Sequence, residues 1–455
     1  MIFVLFGLLA IIWFFLYKLN IPIFFPLVLF FFGWSILFLF FSLVPLDYYF
    51  KAFSLKVCLL LIACLILFFT GSVLSVFLLD YKNIAVNVYF LNKPFISTRF
   101  IFAFSIFMAL LYCLVSFPSS YKKIVASSTA ENVLTELRSQ HWEDFSEGKV
   151  DLEKRALTFT RPFALLFAVG LCFFRKNKFL CALSLFCFSA IFVENLTTAG
   201  RFLIGIVIFL IGYLFFVQYL FERFAPFSCI GLRLLSKRPA YLLFFLVFLL
   251  LGISLLAFFP IARNSLLLEN PDLFINYMYS ATVSNNSYTN FGRAMLYGVS
   301  YLSDPLAKLT FFIEEGGIEK WSAGGLYCFP HIFEPLSKIV GGSSKWLALR
   351  LDIALLLDSI NTQPNPWATG VRDIVIDFGL YGASIFMFIT GFISTMLSFN
   401  FLQNGTPLAL ILLSILSFWL GAFAFVNVSM MGPFFNFFCV VLIIFFMDSF
   451  CKKME

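Results

Sequence analysis

Charge is scarce in this sequence: only 12% of its 455 residues are Asp, Glu, Lys or Arg, whereas 62% are hydrophobic and 20% aromatic. Phenylalanine alone occupies 68 positions. A soluble fold has too little interior to shield so many rings from water. The composition therefore excludes a soluble protein and predicts a chain whose surrounding medium is lipid.

Histidine and closely spaced cysteines are also scarce. The chain has two His, and its ten Cys never fall at a C-x-x-C spacing. These patterns indicate neither a zinc site nor a disulfide framework, so we expect no metal and no cofactor. The net charge of +7 comes from Lys and Arg beside apolar runs, which indicates orientation in a membrane rather than binding to nucleic acid.

Long apolar runs, by contrast, recur along the whole chain. The first seventeen residues carry no basic region and no small-residue cleavage site follows them, so they predict a retained membrane helix. A helix needs about 20 apolar residues to cross a membrane. Eleven stretches meet this requirement: 2–17, 22–45, 57–79, 100–117, 157–174, 179–195, 202–221, 240–260, 374–398, 407–427 and 433–449. We predict an all-α polytopic integral membrane protein with about 11 (10–13) transmembrane helices, forming a single integral membrane domain over residues 1–455.

Lys and Arg gather in three short connections, and cytoplasmic connections are the ones that carry an excess of these residues. An even number of predicted spans separates each cluster from the next, so all three fit the cytoplasmic side. This arrangement places the N-terminus outside and the C-terminus inside. The clusters are Arg175, Lys176 and Lys178; Arg223, Arg233, Lys237 and Arg238; and Lys452 with Lys453.

Two outer segments are too long for simple turns, and long loops in compact proteins usually carry function. In segment 118–156, the capping-box spacing Ser128-Thr129-Ala130-Glu131 predicts a short amphipathic helix. Segment 261–373 is a large loop in which Leu302, Leu306, Leu309 and Ile313 recur at helical spacing. A further amphipathic stretch over 346–360 predicts a re-entrant or interfacial element.

Six charged residues fall at the outer ends of predicted spans, where a charge near hydrocarbon is costly unless it is paired or faces water. Converging arginines suit a planar polyanion such as a pyrophosphate, because each guanidinium gives a bidentate contact. The alternative is that each arginine is only an interfacial anchor. The six are Glu194, Arg201, Arg263, Arg372, Asp373 and Asp377.

Several groups in the large loop have the chemistry of a general base. His331 has an unperturbed pKa of about 6.5, which suits proton abstraction near neutrality, although a packed or surface role is the commoner one for histidine. Asp304, Glu314 and Glu315 are further candidates, and most such carboxylates are simply solvated. The sequence Asp377-Phe-Gly379 lacks the other kinase motifs and does not indicate a kinase.

Three pieces of the chain resemble the O-antigen polymerase (Wzy) family, over about residue 118 to the end. They are Ala199-Gly200-Arg201-Phe202; Tyr297-Gly-Val-Ser-Tyr301-Leu-Ser-Asp304-Pro305; and Pro366-Trp-Ala-Thr-Gly370-Val-Arg372 leading to Asp377-Phe-Gly379-Leu-Tyr-Gly382. Arg201 and Gly212 also have the family's spacing, in which ten residues separate an Arg from a Gly.

The resemblance implies a metal-independent glycosyltransferase with a GT-C-like fold in the bacterial inner membrane, acting at the periplasmic face. Its partners would be membrane lipid and undecaprenyl-pyrophosphate-linked oligosaccharides, whose repeat units it would join into O-antigen, the polysaccharide of lipopolysaccharide. The sequence leaves open whether a chain-length-regulating copolymerase also binds.

Within this scheme the loop 261–373 would be periplasmic and would bear the active site. We assign Arg201, Arg263, Arg293 and Arg372 to pyrophosphate binding. We keep His331, Asp373 and Asp377 as alternative catalytic bases. The aromatic side chains expected to stack on sugars are Trp321, Tyr327 and Trp367, for which simple packing is the alternative role.

Two other functions remain as alternatives. An O-antigen ligase, which transfers polysaccharide to lipid A-core, shares the architecture and uses outer-loop Arg and His, although the Asp377-Phe-Gly segment favours a polymerase. A lipid-linked oligosaccharide flippase usually has paired halves of similar hydropathy, and the large loop breaks such symmetry here.

Overall fold

A computed structural model gives the fold of the chain. The structure describes residues 1–454 except 20, 23–24, 80–93, 128–151, 175, 198–201, 224–265, 285–287, 319–320, 322, 326, 331, 333–344, 360–368 and 428–430. The chain forms two compact units, each assembled from separate stretches of sequence. Unit 1 comprises Met1–Asn83, Ser228–Leu397 and Trp419–Met430, and unit 2 comprises Ile84–Phe227, Ser398–Phe418 and Met431–Glu455.

Helices make up nearly all of the described structure. In chain order the first ones are α1 (Ile2–Lys18), α2 (Pro26–Leu43), α3 (Leu55–Leu78), α4 (Arg99–Ser127), α5 (Leu152–Val169), α6 (Lys178–Thr197) and α7 (Phe202–Arg223). They are followed by α8 (Leu266–Glu269), α9 (Pro271–Tyr279), α10 (Asn290–Val299), α11 (Asp304–Glu314), α12 (Lys345–Asp358), α13 (Gly370–Asn404), α14 (Pro407–Ala422) and α15 (Gly432–Met454). Short 3-10 turns cover Gly170–Phe174 and Ser300–Leu302.

The membrane character predicted from composition is confirmed. Eight described helices are long and apolar enough to cross a membrane, namely α2 to α7, α13 and α15, and α1 and α14 are shorter apolar helices. Ten of the eleven predicted spans coincide with these helices. The eleventh, 240–260, lies outside the described residues. The chain is therefore an all-α polytopic membrane protein. Its described residues also contain one antiparallel pair of strands, β1 (Leu46–Tyr48) and β2 (Ala281–Val283).

The two segments that the sequence predicts to lie outside the membrane contain more helix than expected. Helix α4 continues through Pro118 to Ser127 and α5 begins at Leu152, so both ends of segment 118–156 are helical. The capping-box helix predicted at 128–137 lies outside the described residues. In segment 261–373 the predicted helical spacing is confirmed by α11, which buries Leu306, Leu309 and Ile313, and the stretch 346–360 is confirmed as helical by α12.

The core of unit 1 is built by close packing of membrane helices. The rings of Phe30 on α2 and Phe68 on α3 stack with centroids 3.8 Å apart. Where α3 meets α13, a Cβ added at Gly71 would collide with the carbonyl of Phe388, and one added at Gly391 would collide with the carbonyl of Phe68. Small residues at this crossing let the two backbones touch, which is how helices associate when lipid gives no hydrophobic driving force.

The helices of unit 2 have defined relative directions. Phe102 and Phe104 on α4 contact Phe167 and Phe163 on α5, so these helices are antiparallel. At the start of α4, Asp448 Oδ1 accepts hydrogen bonds from the Ser97 and Thr98 N–H groups at 2.8 and 2.7 Å. The C-terminal part of α15 therefore lies where α4 begins and α5 ends. Helices α5 and α15 consequently run in the same direction.

Candidate functional site

The first two turns of α13 carry three of the predicted site residues, Arg372, Asp373 and Asp377, all of them buried. The helix is interrupted just after them, because Gly379 has φ 68° and ψ −177°, a conformation that a side chain would strain. Just before the interruption, the carbonyls of Ile376 and Asp377 accept hydrogen bonds from Ala323 N and Gly324 N at 3.2 and 3.1 Å. The kink thus docks a loop onto the helix.

The carboxylate of Asp377 holds the same loop. Its Oδ1 accepts from the Tyr327 N–H at 2.9 Å and its Oδ2 from the Cys328 N–H at 2.7 Å. Burial, together with the adjacent charge of Asp377, raises the pKa of the Cys328 thiol well above its usual value, so this thiol stays protonated and unreactive. Both oxygens of Asp377 are engaged in positioning backbone.

The guanidinium of Arg372 is enclosed by other groups of the protein. Its Nε and Nη2 atoms are each 2.8 Å from Asp373 Oδ1. The faces of Phe312 and Tyr327 flank it, with ring centroids 5.3 and 5.7 Å from its Cζ atom. The Arg372 side chain is 1% exposed and that of Asp373 0%. A ligand reaches this cation only if Tyr327 and its loop move aside.

This arrangement separates the roles of the two aspartates that sequence analysis had treated together. Asp377 is fixed by two backbone donors, whereas Asp373 holds a side chain, Arg372, that can change partner. We therefore assign Asp377 a positioning role. Asp373 remains the candidate for the carboxylate that accepts a proton. The like-charge repulsion expected across four residues is countered because Asp373 faces a cation and Asp377 faces amide dipoles.

A second buried ion pair lies on α11, the helix whose Phe312 ring contacts Arg372. Every residue of α11 from Asp304 to Ile313 is buried, and Lys308 Nζ is 2.8 Å from Asp304 Oδ2. The same ammonium is 3.4 Å from the Met278 carbonyl oxygen and 5.9 Å from the centre of the Tyr279 ring. Burial raises the pKa of Asp304 to about 6, and the charge of Lys308 only partly opposes that shift. Glu314 and Glu315, the other predicted carboxylates, are exposed.

Unit 2 contains a charged triad in which Glu194 and Tyr112 are buried and Arg161 is half-buried. Arg161 on α5 pairs with Glu194 on α6 through both its Nη2 and its Nε, and Tyr112 on α4 donates its hydroxyl to the same carboxylate. Glu194 had been singled out, but Arg161 and Tyr112 had not. The signal was present, since an arginine inside the apolar run 157–174 requires a partner.

The remaining predicted residues fall into two groups. Arg293 on α10 pairs with Asp272 and donates from Nε to the Tyr288 carbonyl at 3.3 Å. Trp321 is half-buried at the start of the docked loop. Four predicted residues lie outside the described part of the chain: Arg201, Arg263, His331 and Trp367.

Of the predicted residues in unit 1, the structure brings Arg372, Asp373, Asp377 and Tyr327 together. Within the described part of the chain, no group of three or more His, Cys, Asp or Glu side chains is placed to hold a metal ion. Comparisons with family models, with curated proteins and with solved structures find no match to this chain.

Proposed function

We propose that this protein is a membrane-embedded glycosyltransferase that polymerises undecaprenyl-pyrophosphate-linked oligosaccharide repeat units into O-antigen. The observation that carries the proposal is the buried cluster of Arg372, Asp373 and Asp377, hydrogen-bonded to a loop that bears Trp321 and Tyr327. It combines a cation for a phosphate leaving group, a carboxylate for a hydroxyl proton and aromatic faces for sugars.

The reaction needs a proton acceptor for the attacking hydroxyl and a cation for the departing pyrophosphate. An acceptor hydroxyl oxygen forms a bond to the anomeric carbon of the growing chain, and the bond from that carbon to the pyrophosphate oxygen breaks. The leaving undecaprenyl pyrophosphate keeps the electron pair, and the hydroxyl proton passes to Asp373. Once protonated, Asp373 attracts Arg372 less strongly, so the guanidinium becomes available to the departing pyrophosphate. Asp377, through the Tyr327 and Cys328 amides, holds the loop over the cluster when no substrate is bound.

We further propose the topology that this function requires: eleven spans of GT-C type in the bacterial inner membrane, with a periplasmic N-terminus and a cytoplasmic C-terminus. The parallel directions of α5 and α15 support an odd number of crossings between them. Helices α6, α7, α13 and α14 supply four, so we expect a fifth, as the sequence predicts at 240–260. Fusion of a reporter that is active only outside the cytoplasm should give activity at Ser287 and none at Ser236, and the reverse result would contradict this orientation.

The test of function supplies purified protein with a synthetic pyrophosphate-linked repeat unit and looks for a ladder of polymer lengths. We expect the ladder from the unmodified chain and its loss in Arg372→Lys, because a lysine keeps the charge but not the planar fork. Arg99→Lys, at the exposed first residue of α4, is the matched control and should retain the ladder. Transfer to lipid A-core without a ladder would identify a ligase, and movement of the unit across the bilayer without transfer would identify a flippase.

A further inference from the structure

A cavity of about 440 Å³ lies in unit 2 between α5 and α15. Arg155, Thr158 and Asn436 give it polar groups, and Phe159, Pro162 and Val440 give it apolar walls. Its volume is within the range of about 300–1,000 Å³ that is usual for sites that hold one small molecule.

Polar and apolar parts of this cavity lie at different depths in the membrane. Arg155 is the first residue of the span Arg155–Phe174, and Pro162 follows about 10 Å deeper along the helix axis. On α15, Asn436 likewise precedes Val440 by about 6 Å. Because α5 and α15 run in the same direction, both polar ends lie towards the same membrane face. The cavity therefore has a polar mouth at the interface and an apolar floor at the depth of acyl chains.

Two of the polar side chains at the mouth, those of Arg155 and Asn436, are available for a ligand. Within the residues that the structure describes, the Arg155 and Asn436 side chains make neither a hydrogen bond nor an ion pair, and no acidic side chain lines the cavity. The side chain of Arg155 is exposed, so its charge is free to meet a partner from the surrounding membrane. The guanidinium of Arg155 carries one positive charge, so it is matched by a ligand group with one negative charge.

We propose that this cavity binds a single anionic phospholipid. The phosphodiester lies on Arg155, a headgroup hydroxyl bonds to the amide of Asn436, and an acyl chain lies along Phe159, Pro162 and Val440. A zwitterionic lipid is disfavoured because its ammonium finds no carboxylate among the described lining residues. A lipid pyrophosphate is disfavoured because its two or more negative charges meet one cation in that described lining. The bound lipid joins α5 to α15, and the inference does not depend on the proposed glycosyl transfer.

Photocrosslinking tests this site. The full-length protein is placed in phosphatidylcholine nanodiscs that contain phosphatidylglycerol with a diazirine near the end of one acyl chain. We expect crosslinks in the segments 155–162 and 436–447, displaced at least tenfold more effectively by unlabelled phosphatidylglycerol than by phosphatidylcholine. Because hydrogen bonds to a charged group are worth about 1.5–3 kcal/mol, Arg155→Gln should weaken labelling about tenfold or more.

Two further variants keep the test decisive. Arg99→Gln removes another exposed arginine of unit 2 that does not line the cavity, and it should leave labelling unchanged. Val440→Trp fills the apolar floor without changing charge and should also abolish labelling of 155–162. Equal labelling of Arg155→Gln and the unmodified protein would overturn the proposal. So would equal competition by phosphatidylcholine, stronger competition by undecaprenyl phosphate, or crosslinks that map only to other helices.

Discussion

The two units of the molecule each bury charged side chains in membrane helices, but they satisfy those charges differently. In unit 2, Arg161, Glu194 and Tyr112 come from three helices and bond to one another through their side chains. In unit 1, Arg372 and Asp373 are neighbours on one helix, and Asp377 holds the backbone of a loop. The first arrangement fixes helices against one another. The second leaves a cation and a carboxylate whose partners can be exchanged when the loop moves.

This difference separates a stabilising cluster from a reactive one. A buried ion pair is costly to break because the charge left behind loses both water and partner. The bidentate contact of Arg161 with Glu194 therefore makes unit 2 resistant to rearrangement. In unit 1, aromatic faces on both sides of Arg372 lower the cost of turning the guanidinium away from Asp373, since cation–π contact persists during the change.

The largest effect is expected at Asp373. Asp373→Asn removes the proposed proton acceptor, so the polymerisation rate per folded molecule should fall by about 10²–10⁴, the range that general-base catalysis supplies. The measurement is polymer formed per unit of protein that elutes as a single folded species. Asp373→Glu keeps a carboxylate and should recover part of the rate. Full activity in Asp373→Asn would show that Asp373 is not the proton acceptor.

A substitution in the triad of unit 2 should lower the stability of the fold rather than the rate of polymerisation. Arg161→Met leaves Glu194 buried without its cation and should lower the free energy of unfolding by about 3–5 kcal/mol. The double variant Arg161→Met, Glu194→Gln removes both charges and should recover most of that loss. Thermal unfolding in detergent measures the stability, and activity per folded molecule should stay near that of the unmodified protein. A stable Arg161→Met protein with no activity would instead assign the triad to the reaction.

Sequence patterns were sufficient to predict the membrane helices and to identify individual charged residues. They did not predict which groups those charged residues contact. Apolar runs of about 20 residues determine spans locally, so ten predicted spans correspond to helices. The hydrogen bond between the Asp377 carboxylate and the Tyr327 amide joins positions fifty residues apart in sequence. Sequence spacing rules cover only nearby residues, so they do not predict this contact. Gly379, set aside with the kinase motif, proves to be the point where α13 kinks, since its conformation suits glycine.

The buried pair in α11 gives a smaller effect that depends on pH. The folded pKa of Asp304, about 6, lies above its usual 3.8, so the folded protein holds this proton more tightly than the unfolded chain does. Its contribution to stability is therefore fully present below pH 3.8 and is lost as pH rises through 6, by up to about 3 kcal/mol. Unfolding followed between pH 4.5 and 8 should show this trend, and Asp304→Asn should remove it. An identical pH profile in both proteins would contradict the shift.

The smallest effect is expected at His331, which the sequence offers as the rival base. If Asp373 accepts the proton, His331→Ala should change the polymerisation rate by less than about threefold, because the histidine then takes no part in proton transfer. The pH profile provides an independent criterion: a histidine base would make the rate fall below about pH 6.5, and this fall should vanish in His331→Ala. A hundredfold loss of polymerisation rate in His331→Ala, together with an active Asp373→Asn protein, would identify His331 as the base. In that case the buried cluster of unit 1 would serve only to bind the pyrophosphate and hold the loop, and the contrast with the triad of unit 2 would lie in ligand binding rather than in proton transfer.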